Sequence, residues 1–184
     1  VFYDDPYKSI VRKLMQMRYQ LLPYNYTLAY EQARYGKPLV RPLFYENNAD
    51  SNLYKTDNQY MWGDAFLIAP VLQRGAVEQK IYLPASEWYN FYTDEKINGG
   101  RWIAEKLVIA YIPVFVKEGS FIPFFKSKEP VKNTEEYTGK EITIKYYPSS
   151  KKTMYTLYDD DGHTNKTLDN GNFELIRFEG QQRK

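Results

Sequence analysis

The chain has 184 residues, 43% hydrophobic and 26% charged, a composition that suits a folded globular protein and excludes a disordered one. Lys plus Arg number 25 against 23 Asp plus Glu, and the net charge of +2 gives no electrostatic case for nucleic acid or an anionic membrane; no apolar run reaches the roughly 18 residues that span a bilayer. With no Cys and one His, disulfides and thiol nucleophiles are excluded, and a multi-His zinc site or a Ser-His-Asp triad has little material, so hydrolytic chemistry would run on carboxylates.

The opening Val1-Phe2-Tyr3 has no Met and no signal-peptide pattern, which suits a piece of a longer protein. Asp4, Asp5 and Pro6 suit a helix start, and Ile10, Leu14, Met17 and Leu21 recur at spacings of 4, 3 and 4, an apolar stripe at helical period. Pro23 is expected to kink or restart the helix, because Tyr26, Ala29, Tyr30 and Ala33 carry the period on; Gly36 then closes it, with Pro38 just beyond. The apolar run Leu39 to Tyr45 is too short for a helix and reads as a buried strand, followed by a polar loop from Glu46 to Lys55.

Beyond residue 60 the character changes to short β-rich runs separated by Gly, Pro, Asn or Asp: Phe66–Leu72, Lys80–Leu83, Trp88–Tyr92, Leu107–Ala110, Val114–Val116 and Phe121–Phe124. Their spacing, without intervening helices, argues for an all-β sandwich. The charged segment Lys126 to Lys140 is the best boundary after residue 60, and alternation returns in Ile142–Tyr146, Met154–Tyr158 and Phe173–Phe178. Two hairpin turns are expected, at Asp159-Asp160-Asp161-Gly162 and at Asp169-Asn170-Gly171-Asn172. The 19 Tyr, 10 Phe and 3 Trp would serve either sheet packing or a sugar-stacking surface; their spread along the whole chain favours packing.

Helix, buried strand, then sandwich is an odd order for one domain, and it makes sense if the first elements are the last units of a (β/α)8 barrel. Met17 to Ala29 resembles the "RYxLLPYxYxLA" helix late in the barrel of glycoside hydrolase family 31, and Gly36 to Glu46 is similar to that family's "GxPxxRPLFxE", its final barrel strand. Asp57 to Val71 resembles the "DxQxMxGxxxLxAPV" start of its proximal β-sandwich, and Pro113 to Pro123 its "PVFVxxGSxIP". The turn from Tyr158 to Gly162 is similar to "LYEDDG" of the distal β-domain, with Asp159 where Glu is usual. The resemblance implies a mainly β chain with an N-terminal helical segment: residues 1–60 as the barrel end, 61–128 as the proximal sandwich and 129–184 as the start of a distal β-domain.

The family's chemistry is retaining hydrolysis of α-linked glucosides or xylosides by two carboxylates. Its catalytic aspartates lie in "WxDMNE"-type motifs, and nothing in this sequence matches them. The resemblance therefore implies a non-catalytic C-terminal portion, inactive alone, with no catalytic residue, cofactor or metal. Its partners would be the N-terminal barrel of the parent and, in that parent, an oligo- or polysaccharide, with neither nucleic acid nor membrane. The competing reading is an autonomous carbohydrate-binding β-sandwich module. The compartment stays open among secreted, periplasmic and cytoplasmic.

Glu46 follows the expected barrel strand at its C-terminal end, the face where barrel enzymes place their sites, so it is the one candidate for the substrate rim, against simple loop solvation. Arg41 lies inside an apolar strand, where an unpaired charge is costly; a structural ion pair is favoured over a sugar contact. Asp57, with Gln59, is expected to brace the junction into the sandwich. Asp159 to Asp161 lack the alternate spacing of a Ca²⁺ loop, which favours a tight hairpin, with His163 exposed beside it. Trp62, Trp88 and Trp102 would form a carbohydrate platform or pack the core, and their scatter favours packing. Leu14, Met17 and Leu21 are expected to be partly exposed, or covered by self-association through the helix face.

Overall fold

The computed structural model describes residues 4–45, 49–126, 133 and 141–182. Two helices come first, α1 over Tyr7–Gln20 and α2 over Leu22–Tyr35. Asp5 Oδ1 accepts the Ser9 N–H at 3.1 Å and so supplies an acceptor to the first turn of α1. The chain breaks at Leu21 and restarts with Pro23 in the first turn of α2, where a missing N–H costs no intrahelical bond. Gly36 ends α2 at φ +69°, its N–H bonded to Gln32 O at 2.9 Å, as the sequence implied.

The run from Leu39 to Tyr45 departs from expectation. Only Val40–Arg41 is strand, β1, and Leu43–Tyr45 coil into a 3₁₀ turn. Pro42 has no N–H to extend a ladder, so the strand stops before it. There follow β2 (Tyr60–Trp62), β3 (Phe66–Ile68), β4 (Glu78–Leu83), β5 (Glu87–Asn90), β6 (Lys96–Asn98), β7 (Arg101–Lys106) and β8 (Val114–Lys117). Leu107–Ala110, expected as a strand, is not one: Val108 and Ile109 are 44% and 65% exposed, and only a bridge from Val108 to Tyr111 forms. The strand in this region is β7, paired with β4 from Glu78↔Lys106 to Leu83↔Arg101.

The final elements are β9 (Phe121–Phe125), β10 (Ile142–Tyr146), β11 (Thr153–Asp159), a one-turn helix α3 (Thr167–Asn170) and β12 (Glu174–Gly180). β9 pairs with β10 and β11 with β12. Gly162 and Gly171 have φ of +67° and +71°, the turn geometry expected of them. They do not close two tight hairpins, however. Both lie in the single connection from β11 to β12, with Gly171 ending α3.

The chain divides into two compact units. One comprises Val1–Lys37, Phe121–Tyr146 and Met154–Gly180. In it both helices pack on β9, and Tyr24, Leu28, Phe121, Ile122, Phe125 and Leu157 are buried. The other comprises Pro38–Ser120, Tyr147–Thr153 and Gln181–Lys184. Its six-stranded antiparallel sheet runs β1-β2-β3-β8-β5-β6. Leu67, Trp88 and Phe115 of that sheet share a core with Ile81 and Leu83 of the β4–β7 pair, and Leu43 and Leu53, from the 3₁₀ turns Leu43–Tyr45 and Leu53–Lys55, close it. Burial of these side chains is the main force holding the two sheets together. Taken whole, the fold is mostly antiparallel β with few helices.

Candidate functional site

Glu46, the rim candidate, lies outside the described residues. Arg41 is 1% exposed and its charge is paired. Its Nε donates to Pro38 O at 2.7 Å, an Nη donates to the Asp64 carboxylate in an ion pair, and the guanidinium lies 5.3 Å from the centre of the Tyr45 ring. β1 sets this up by pairing Arg41 with Met61, and Gly63 N–H bonds Leu39 O at 2.7 Å on the same edge. Asp57 is exposed, and the bracing falls to Gln59 instead. The buried Gln59 amide donates to Tyr82 O at 2.9 Å and accepts the Tyr82 N–H at 2.8 Å, acting as one more rung beside β4. Across the same residue the Tyr82 hydroxyl donates to Asp50. That bond, with the Asn52 N–H, holds the Asp50 carboxyl below its ordinary value.

A second cluster surrounds Glu118. Its Oε1 accepts from Ser86 Oγ and Glu87 N, both at 3.1 Å, and its Oε2 from Ser149 Oγ at 2.8 Å. Burial pushes its pKa up, but the donors from Glu87, Ser149 and Ser86 prevail and hold the carboxyl low. Gly119 N–H bonds Tyr147 O at 2.7 Å and Tyr147 N–H bonds Ser120 O at 2.9 Å, so the 147–153 segment is stitched to the turn after β8.

The third cluster is built on Asp160. Oδ1 accepts from Tyr26 Oη at 2.6 Å and Gly162 N at 2.8 Å; Oδ2 accepts from Tyr158 Oη at 2.6 Å and Thr167 Oγ1 at 3.0 Å. Burial opposes its ionisation, yet these donors hold its carboxyl low. Asp161 accepts from His163 N at 3.0 Å, Thr164 N at 2.8 Å and the Thr164 hydroxyl, which with the backbone donors brings its pKa to about 2. Asp159 goes the other way, raised first by burial. The three aspartates border a shallow cleft with Asn172, Phe173 and Glu174, but two of them are committed to holding the loop together. Among the described residues no group of three or more His, Asp or Glu is placed to hold a metal ion. His163 is exposed.

The tryptophans do not form a platform. Trp88 is 1% exposed in the core, with Nε1 bonded to Pro84 O at 2.9 Å. Trp62 stacks on Phe66, and Trp102 packs beside Tyr82 on the smaller sheet. Most rings meet other rings: Tyr30 with Tyr158 at 4.5 Å, Phe121 with Tyr146 at 4.4 Å, Tyr92 with Tyr111 at 3.9 Å. On α1, Tyr7, Val11, Leu14 and Met15 are 40–50% exposed, whereas Met17 is half-buried and Leu21, expected to be exposed, is buried at 3%. The helix break at Leu21 turns that side chain inward.

Sequence reasoning missed Glu118, Asp50 and the Tyr26–Asp160 pair. Glu118 carried one signal, a carboxylate between an apolar run and a glycine, beside Lys117. Tyr26 and Asp160 stand 134 positions apart, and no local pattern joins them.

Residues 36–122 match the glycosyl hydrolase family 31 C-terminal domain. An α-xylosidase of Saccharolobus solfataricus is 40% identical over 86% of this chain and 21% of its own length. α-Glucosidase 2 of Bacillus thermoamyloliquefaciens is 33% identical over 88% of this chain and 20% of its own. Among solved structures, the GH31 dextranase of Flavobacterium johnsoniae superposes with a TM-score of 0.85 at 33% identity, covering 95% of this chain and 21% of that one. The chain thus spans about a fifth of the length of the relatives it matches.

Proposed function

The chain belongs to glycosyl hydrolase family 31, whose C-terminal domain it carries, and from that premise we propose that it is the non-catalytic C-terminal portion of a retaining α-glycosidase. The parent would hydrolyse α-glucosidic or α-xylosidic bonds, in line with the names of its relatives. Residues 1–60 would complete a catalytic barrel, and the β-rich remainder would buttress it. Supporting this reading, the best-placed carboxylates are occupied: Asp160, Glu118 and Asp50 each accept several hydrogen bonds or a tyrosine hydroxyl. A retaining mechanism needs a free nucleophile and an acid/base about 5–5.5 Å apart, and groups so engaged suit neither role. The exposed apolar side of α1 suits a helix that packs on further chain, or on a second copy where that chain is missing.

Incubating the chain with chromogenic α-glucosides and α-xylosides tests the proposal, and no turnover is expected. Turnover abolished by Glu46→Gln would overturn it. Calorimetry with α-gluco- and xylo-oligosaccharides separates the scaffold from a binding module: the scaffold gives no saturable heat. Sedimentation completes the test, with concentration-dependent association expected through the α1 face.

A further inference from the structure

We propose that Asp160 is an acid-released latch that fastens α2 to the loop following β11. The inference stands on contacts within the unit that holds both elements, independently of the enzymatic reading. Four donors converge on this carboxylate, and among them Tyr26 alone comes from α2. Beside that bond, Thr27 Oγ1 accepts Tyr158 N–H at 3.2 Å, and Tyr26 and Tyr30 pack their rings on Tyr158. An ionised carboxylate offers about four lone-pair sites, all used here; protonation turns one oxygen into a donor. Hydroxyls can rotate to adapt, but the Gly162 N–H cannot. The acceptor given up first is therefore one facing a hydroxyl, and Tyr26 is the one whose loss parts the loop from α2, which stays packed on β9.

The surroundings set the direction of the switch. Asp159 and Asp161 flank Asp160 in the chain, and Glu174 of β12 lies close enough to act on Asp159. From α2 the facing groups are Tyr26 and Tyr30, with Arg34 beside Tyr30 and Glu31 acting on Tyr155 of β11. His163 acts on Asp161 across the loop. No cation pairs with Asp160 among the described residues, and its hydrogen bonds maintain its charge against burial. Its folded carboxyl lies below the ordinary value of 3.8, so the contribution is whole above that pH and is lost as pH falls through the folded value.

The test is a carboxyl-carbon NMR titration of the chain, followed together with the ring resonances of Tyr26. The Tyr26 shifts should move in step with protonation of Asp160, and Tyr26→Phe should raise the pH at which Asp160 protonates. Urea unfolding of Asp160→Asn supplies a second reading: its deficit in the folding equilibrium, roughly tenfold to a hundredfold at neutral pH, should shrink towards parity in acid. Tyr26 shifts that ignore the Asp160 titration, or a deficit equal at both pH values, would overturn the latch.

Discussion

Gly119 offers the sharpest test of the packing, because the turn after β8 leaves no room for a side chain. Its φ is +77°, and a Cβ there would stand 2.4 Å from Thr153 Cγ2 and 3.1 Å from Thr153 Cβ and Oγ1. The backbone cannot swing aside, since Gly119 N–H and Ser120 O are both bonded to Tyr147. Gly119→Ala therefore meets two penalties. Left-handed backbone costs a residue with Cβ about 1–2 kcal/mol. Overpacking against Thr153 adds about 1–3 kcal/mol. The sum is about 2–5 kcal/mol, and at about 2–4 °C per kcal/mol for a chain of this size the melting temperature should fall by about 4–20 °C. Thr153→Ala in the Gly119→Ala background removes Cγ2 and Oγ1 and should recover the overpacking share while leaving the backbone share. Urea unfolding of the four proteins in the cycle measures both. A Gly119→Ala loss within about 0.5 kcal/mol, or strictly additive single changes, would refute the reasoning.

Gln59→Leu keeps the volume but strips Tyr82 of two backbone partners, and about 2–4 kcal/mol of stability should be lost by urea unfolding. Removing Asp64 should cost more than replacing Arg41 with Met: Asp64→Ala takes a carboxylate from a buried guanidinium, whereas the carboxylate left by Arg41→Met is 57% exposed and can hydrate. Equal losses in the two variants would contradict that asymmetry. Alkali should unfold the protein cooperatively. Burial raises Tyr92 from 10.0 to about 12 and also raises Tyr82 and Tyr158, so each favours the folded state below pH 10, and that contribution is lost as pH rises through the folded values. Phenolate absorbance and circular dichroism should change together, and complete phenolate formation near the ordinary value with the fold intact would count against it.

Elements with strong local signals were legible in the sequence. The stripe of α1, the Pro23 restart and the Gly36 stop depend on neighbours three or four positions away, and all three hold. The failures share a cause. Leu39–Tyr45 and Leu107–Ala110 are apolar runs of strand length, but strand pairing is decided by partners distant in sequence, and Pro42 in one case and exposure of Ile109 in the other ended the ladder. β7 was overlooked for the converse reason. Its alternation of exposed and half-buried residues carries charge at three of six positions, and its stability comes from the register with β4. Arg41 was readable as a buried charge in need of a partner, but only the fold could say that the partner is Asp64.

The resemblance motifs meet one another in space, and this bears on what they are for. Arg41, from the "RPLF" segment, pairs with Asp64 of the segment that leads into the sandwich. Tyr26 and Thr27, from the "LLPYxYxLA" helix, meet Asp160 and Tyr158 of the acidic turn. Glu118 and Gly119, from "PVFVxxGSxIP", hold Ser149 and Tyr147. In each case a polar residue within the motif is bonded to a segment remote in sequence. A site for sugar chemistry would instead leave such groups converging on open space, with a carboxylate free to take or give a proton. Polar groups tied to other segments in this way fit the scaffold reading proposed above. A change at any of these joints should therefore be read first in stability, and in activity only where the fold has already loosened.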